Sequence, residues 1–191
     1  MASYTVLYDA CVLYSAPLRN LLLRLAMVEL FRARWTETIL DECFRNIVKN
    51  RPDLQPSQLA KTCELMNAHV LDALITGHET LIQSLVLPDP DDRHVLAVAI
   101  CGGADAIITY NLSDFPPEVL KVYGIEAQHP DDFIACQLDL SPALVLTALR
   151  AQRLALKRHP RTLDQFLATL EQQRLVQTVA RLRRDHYTDL L

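Results

Sequence analysis

Carboxylates stand where this chain could do chemistry. Asp9 ends the run YTVLY, the cluster PDPDD (88–92) opens the run HVLAVAI, and Asn111 and Asp114 follow AIIT in the loop NLSDFPP. An ionised side chain is costly to bury without a partner, so each acid near core structure calls for a cation. No lysine or arginine accompanies Asp9 or Asp114 in its own loop. Carboxylates that meet without fixed counter-charges raise one another's pKa, and a divalent cation relieves the repulsion. An all-oxygen donor set favours Mg2+ or Mn2+. The 6 histidines and 5 cysteines (11, 43, 63, 101, 136) show no zinc-ligand spacing and no CxxC pair.

The elements that must position these acids can be read from pattern. YTVLY is a β-prone strand, and PLRNLLLRLAMVELFRARW (17–35) has leucines at helical spacing. Thr36 can cap ETILDECFRNIVKN, whose Ile39, Cys43 and Ile47 share a face with Glu42 beside it. SQLAKTCELMNAHVLDALI (57–75) reads as a helix up to Gly77, and LIQSLVL (81–87) as a strand. Asp91 or Asp92 caps a helix through HVLAVAI, which Gly102 and Gly103 stop. AIIT is a buried strand, PEVLKVYG a short helix, IEAQ a last strand and PDDFIACQL a helix. This alternation predicts an α/β fold: a parallel sheet with helices on both faces. Loops at the carboxyl ends of such strands converge on one crevice. Asp9, Asp92, and Asn111 with Asp114 would then arrive from three strand–helix junctions, and Glu42 could join them from its helix.

Ser141-Pro142 is a strong helix start. ALVLTALRAQRLALKR and TLDQFLATLEQQRLVQTVARLRR follow with no strand between them. The expected organisation is an α/β domain over 1–139 and a C-terminal helical extension over 140–191.

The 191 residues are half apolar, enough for a proper core, and no apolar run approaches the ~20 residues that span a bilayer. The start carries no basic leader, and the odd cysteine count disfavours a disulfide framework, so a reducing cytoplasm is expected. The net charge of −4 is uneven: residues 1–139 carry 10 Lys+Arg against 19 Asp+Glu, and residues 140–191 carry 9 against 4. The basic tail could hold a polyanion, an acidic partner or a second copy; its charges equally suit the wet face of amphipathic helices. Other α/β chemistries fit poorly. A receiver domain needs an acidic pair after its first strand, a dehalogenase-type phosphatase needs Asp where Cys11 stands, and a dinucleotide site needs glycines absent from DACVLYS.

Taken in order, YDACVLYS, ETILDECFRNIV and DPDDRHVLAVAICGGADAIITYNLSDFP resemble the successive motifs of PIN-domain ribonucleases, with the closest likeness to VapC-type toxins of bacterial toxin–antitoxin pairs. The resemblance covers roughly residues 4 to 135. It departs at Cys11, where the family usually has Asn or a small hydroxyl residue. It implies a PIN-like fold and Mg2+- or Mn2+-dependent hydrolysis of RNA phosphodiesters. The matching acids are Asp9, Glu42, Asp92 and Asp114. Asp9 and Asp92 would be direct metal ligands, Asp114 or Asn111 would complete the site, and Glu42 would hold or deprotonate the attacking water. An antitoxin protein is the implied partner and the cytoplasm the implied setting. The reading it competes with is a non-catalytic PIN-like module that binds RNA or protein.

Around these acids the sequence offers quieter roles as well. Asp89 and Asp91 suit a turn and a cap, His94 suits packing, and Thr109 suits either a strand end or a phosphate contact. Arg19, Arg45, Lys49, Arg51 and Arg93 could hold an RNA backbone or be solvated charges.

Overall fold

A computed structural model of the chain describes residues 4–157 and 159–191. The first three residues, and Arg158 at the end of the expected helix ALVLTALRAQRLALKR, lie outside them. The strands are β1 (Thr5–Tyr8), β2 (Arg32–Arg34), β3 (Ala106–Ile108) and β4 (Glu126–Gln128). The helices are α1 (Ala10–Tyr14), α2 (Ala16–Met27), α3 (Glu37–Asn50), α4 (Pro56–His69), α5 (Glu79–Ile82), α6 (Arg93–Cys101) and α7 (Pro117–Leu120). They continue with α8 (Pro130–Leu140), α9 (Pro142–Leu154), α10 (Leu163–Gln172) and α11 (Val176–Arg184).

The four strands form one parallel sheet in the order β2-β1-β3-β4. Successive strand residues face opposite sides, yet every residue of β1 and β3 is buried, so both faces are covered. This is the expected α/β class. In register, Leu7 stands between Arg34 and Ile107, and Tyr8 pairs with Ile108. That pairing fixes which residues follow side by side at the carboxyl edge. Tyr8 also stacks on Trp35, with ring centroids 6.2 Å apart, which ties β1 to the residue after β2.

By its internal contacts the chain divides into two compact units. One runs through Tyr14 and resumes over Phe31–His129; it contains the sheet. The other is all helix: Ser15–Leu30, which contains α2, together with Pro130–Leu191. The expected division at 139/140 can be set beside these changeovers at 14/15, 30/31 and 129/130. Within the helical unit α2 packs on α9, and α8 on α11. Buried Asp131 near the start of α8 accepts the backbone N–H groups of Gln177 (2.7 Å) and Thr178 (2.8 Å) and the Thr178 hydroxyl (2.7 Å). One carboxylate thereby satisfies donors that the first turn of α11 cannot satisfy itself.

Three local expectations are corrected. LIQSLVL is not a strand: its first residues end α5, and Ser84 and Leu85 donate locally to Leu81 and Ile82. Val86 stays 74% exposed, so the apolar run has no sheet to join. The helix expected over 17–35 stops at Met27, where Glu29 takes a positive φ of 56°, and Arg32–Arg34 becomes β2 because β1 offers it a partner. The pairing overrides the weak strand preference of an Arg-Ala-Arg sequence. The helix expected up to Gly77 ends at His69, and the chain then returns to Trp35, which exchanges hydrogen bonds with Ala73 and Ile75 (both 2.9 Å).

Candidate metal centre

In the order β2-β1-β3-β4, the chain winds one way from β1 to β2 and the other way from β3 to β4. A crevice opens at such a reversal, beyond the carboxyl ends of β1 and β3. Asp9 is the first residue past β1, and its N–H donates to the Ile108 carbonyl (3.2 Å) at the end of β3. Its carboxylate is buried. Oδ2 accepts hydrogen bonds from the Thr109 hydroxyl (2.7 Å) and the Cys11 thiol (3.1 Å). Thr109 Oγ1 is itself held by the Asn111 N–H (2.9 Å), and Cys11 Sγ by the Tyr110 N–H (3.2 Å). Both donors thus converge on one oxygen, and Oδ1 accepts no hydrogen bond among the described residues. Burial first, then the charge of Asp9, pushes the Cys11 thiol up to about 12, so it remains an S–H donor at neutral pH.

Asp92 comes from a different kind of element. It closes a 3-10 turn, Pro90–Asp92, and stands at the N-cap of α6 without a side-chain capping bond. The turn is tied instead by Asp89, whose carboxylate accepts the Asp91 N–H (2.9 Å). Asp89 therefore plays the expected turn role, and the Asp92 carboxylate is left uncommitted. The expectation of three strand–helix junctions is corrected here: β1 and β3 supply Asp9 and Asp114, while Asp92 arrives on a turn between helices. Its pKa is pushed up to about 7, by burial first and then by the negative charges of Asp9, Asp114, Asp89 and Glu42. Asp92 is therefore within electrostatic reach of the other three sequence-predicted acids.

Glu42 projects from α3 half-buried. Its pKa is raised by burial first and by Asp9 next, with His94 and Arg45 opposing. His94 is more than packing. Its Nδ1 lies 2.7 Å from the Asp91 carbonyl oxygen, which can only accept, so Nδ1 carries the hydrogen. Its buried Nε2 stands 3.6 Å from Glu42 Oε2 and makes no hydrogen bond among the described residues. Asp114 ends the 3-10 turn Leu112–Asp114 and accepts from the Ser113 hydroxyl (3.3 Å). Asn111 works through its backbone: its N–H goes to Thr109 and its carbonyl accepts the Asp114 N–H (3.1 Å).

Of the cations expected near these acids, Arg51 is paired with Asp53 (2.7 Å) and Arg45 Nε donates to the Asp41 carbonyl (3.3 Å). Arg93 Nε is buried without a hydrogen bond among the described residues. Lys49 is exposed at the end of α3, and Arg19 lies on α2 in the helical unit. No guanidinium or ammonium is ion-paired with Asp9, Glu42, Asp92 or Asp114 among the described residues.

The donor set suits a hard cation: four carboxylates, all-oxygen, of which the other three each raise the pKa of Asp92. Among the described residues no three His, Cys, Asp or Glu side chains close into a ready-made cage. Mg2+ does not require one, because it keeps several waters and uses one or two carboxylates together with substrate phosphates. The side chains that sequence reasoning missed are those positioning Asp9. Cys11 entered it as a departure from the family pattern and as the position where a phosphatase would need Asp, and Thr109 as either a strand end or a phosphate contact. The signal was the β1–β3 register, which pairs Tyr8 with Ile108 and so brings the next residues, Asp9 and Thr109, together.

The profile of the PIN domain matches residues 5–113, more than half of the chain, and that of the VapC50 C-terminal domain matches residues 130–184. The chain belongs to the PIN-domain family. It is also 57% identical over 49 residues to a Mycobacterium tuberculosis protein described as "Putative ribonuclease VapC50". That match covers 26% of this chain and 29% of the relative, so the chain spans less than a third of the length of the curated relative it matches. No solved structure matches. No helix among the described residues is long and apolar enough to cross a membrane.

Proposed function

We propose that this chain is a Mg2+- or Mn2+-dependent endoribonuclease that hydrolyses RNA phosphodiester bonds, and that it acts in the cytoplasm as the toxin of a type II toxin–antitoxin pair. The observation that carries the reading is that Asp9, Asp114 and Glu42 each raise the pKa of Asp92 beyond the sheet's reversal point, with no guanidinium or ammonium paired to any of the four among the described residues, in a PIN domain. The match to a protein described as a ribonuclease supports the choice of RNA. The toxin role rests on the VapC likeness, which also supplies the antitoxin as partner.

Asp9 and Asp92 would hold the metal, Asp114 would complete the set and Glu42 would contribute from α3. When bound, the ion supplies a more acidic water and neutralises charge developing on the phosphate. The protein's own part is positioning. Thr109 and Cys11 pin one oxygen of Asp9 and leave the other free. Glu42 orients the attacking water and accepts its proton at a carboxylate whose pKa is raised, and His94 Nε2 faces the same carboxylate.

The test is cleavage of RNA by the purified full chain with Mg2+ or Mn2+, with and without EDTA. Asp9→Asn and Asp92→Asn should each reduce cleavage more than about a hundredfold while circular dichroism stays unchanged. Wild-type rates in both variants would remove the assignment. RNA binding with no cleavage at any metal level would favour the non-catalytic module.

A further inference from the structure

A nuclease must attract a polyanion, yet the unit that carries the acids is itself negative. The sheet unit holds 8 Lys+Arg against 15 Asp+Glu, a net of −7, and the helical unit holds 11 against 8, a net of +3. Phosphate affinity comes mainly from lysine and arginine. The helical unit is therefore where cations should be sought.

They are not evenly available there. On α11, Arg181 pairs with Asp139, Arg183 with Glu171 (2.9 Å) and Arg184 with Asp185 (2.7 Å). These arginines are neutralised in place. Residues 140–163 differ: they contain five cations, Arg150, Arg153, Lys157, Arg158 and Arg161, and no acid. Arg153 donates to the Leu191 carbonyl (2.7 Å). Arg150, Lys157 and Arg161 are exposed, and none of them has an ion pair among the described residues, although the Arg161 guanidinium donates one hydrogen bond to the Thr169 hydroxyl. Attraction to the carbonyl end of α9 explains a cation in its last turn, such as Arg153. It does not explain Lys157 and Arg161, which stand beyond the helix in the connection to α10.

We propose that Arg150, Lys157 and Arg161, on the end of α9 and its connection to α10, form a phosphate-binding surface for single-stranded RNA. It supplies the affinity that the acidic unit lacks. The proposal rests on the ribonuclease reading for its choice of RNA. RNA is preferred to an acidic protein because three exposed cations, within a stretch of residues 140–163 that contains no acid, complement the repeated charge of a phosphate backbone.

The test uses the full chain and a fluorescein-labelled single-stranded RNA, with EDTA present so that nothing is cut. Anisotropy gives the affinity from about 50 to about 200 mM salt. A variant combining Arg150→Gln, Lys157→Gln and Arg161→Gln should bind about tenfold more weakly at low salt. Its log–log salt slope should be shallower by about 2, as expected for three lost phosphate contacts. A control combining Arg183→Gln and Arg184→Gln, which removes already paired arginines, should change little. Unchanged affinity in the triple variant, equal loss in the control, or no RNA affinity in the wild type would each overturn the proposal. So would loss of polyglutamate binding with RNA binding intact, which would mark a protein-docking face. If the ribonuclease reading fails instead, the wild type will not cleave with metal, while the EDTA binding difference persists.

Discussion

Asp131, which is buried, and Asp92, which is half-buried, show two environments for a carboxylate removed wholly or partly from bulk water. Asp131, in the helical unit, is surrounded by donors: two backbone N–H groups and a hydroxyl at the start of α11. Asp92, in the sheet unit, has no such donors among the described residues: burial first, and then the like charges around it, push its pKa up to about 7. The first arrangement completes a fold by itself. The second leaves an electrostatic debt that an added cation would cancel. A buried acid is therefore informative for function only once its partners are known.

The largest stability effect should come from breaking the satisfied side. Asp131→Ala strands the donors of α11 and is expected to cost about 2–3 kcal/mol in urea unfolding, and Asp131→Asn should recover part of that. Next is the Asp9 clamp. Thr109→Val keeps the shape but removes the hydroxyl donor at 2.7 Å, which should cost about 1–2 kcal/mol and lower the rate of any metal-dependent cleavage.

On the unsatisfied side the sign reverses. The folded pKa of Asp92 lies above its ordinary value of 3.8, so the metal-free folded state binds more protons than the unfolded chain between about pH 4 and 7. Stability from this group is therefore lost as pH rises through that window. Asp92→Asn should raise the metal-free Tm at about pH 8, with the gap closing as pH falls toward 4. Added Mn2+ should close the gap from the other direction by stabilising the wild type alone. A variant less stable than wild type at pH 8 without metal would show that the acids are not in conflict. Cys11→Ala should have the smallest effect, a cleavage change of a few-fold, because the Thr109 donor remains on the same oxygen.

Local signals made part of this legible in advance. Thr36 accepts the Ile39 N–H (3.1 Å) as its position before α3 implies, and Gly102 and Gly103 end α6. Ser141-Pro142 starts α9, although the serine makes no side-chain cap. Two of the misreadings share one cause. LIQSLVL has strand composition but no strand to pair with, and Arg32–Arg34 lacks the composition but has β1 beside it.

The amino-acid sequence by itself determined where the acids fall, which residues start and stop the local elements around them, and that the charge is unevenly divided along the chain. These depend on neighbours within a few residues, where backbone preference and capping act. Only the tertiary structure decided that Thr109 and Cys11 restrain Asp9 and that Asp92 is free while Asp89 caps. It also decided that the arginines of α11 are ion-paired, whereas Arg150 and Arg161 have no ion pair among the described residues. Hydrogen bonds and ion pairs reach only a few ångströms, so between residues far apart in sequence they exist only after sheet register and helix packing have set who is adjacent.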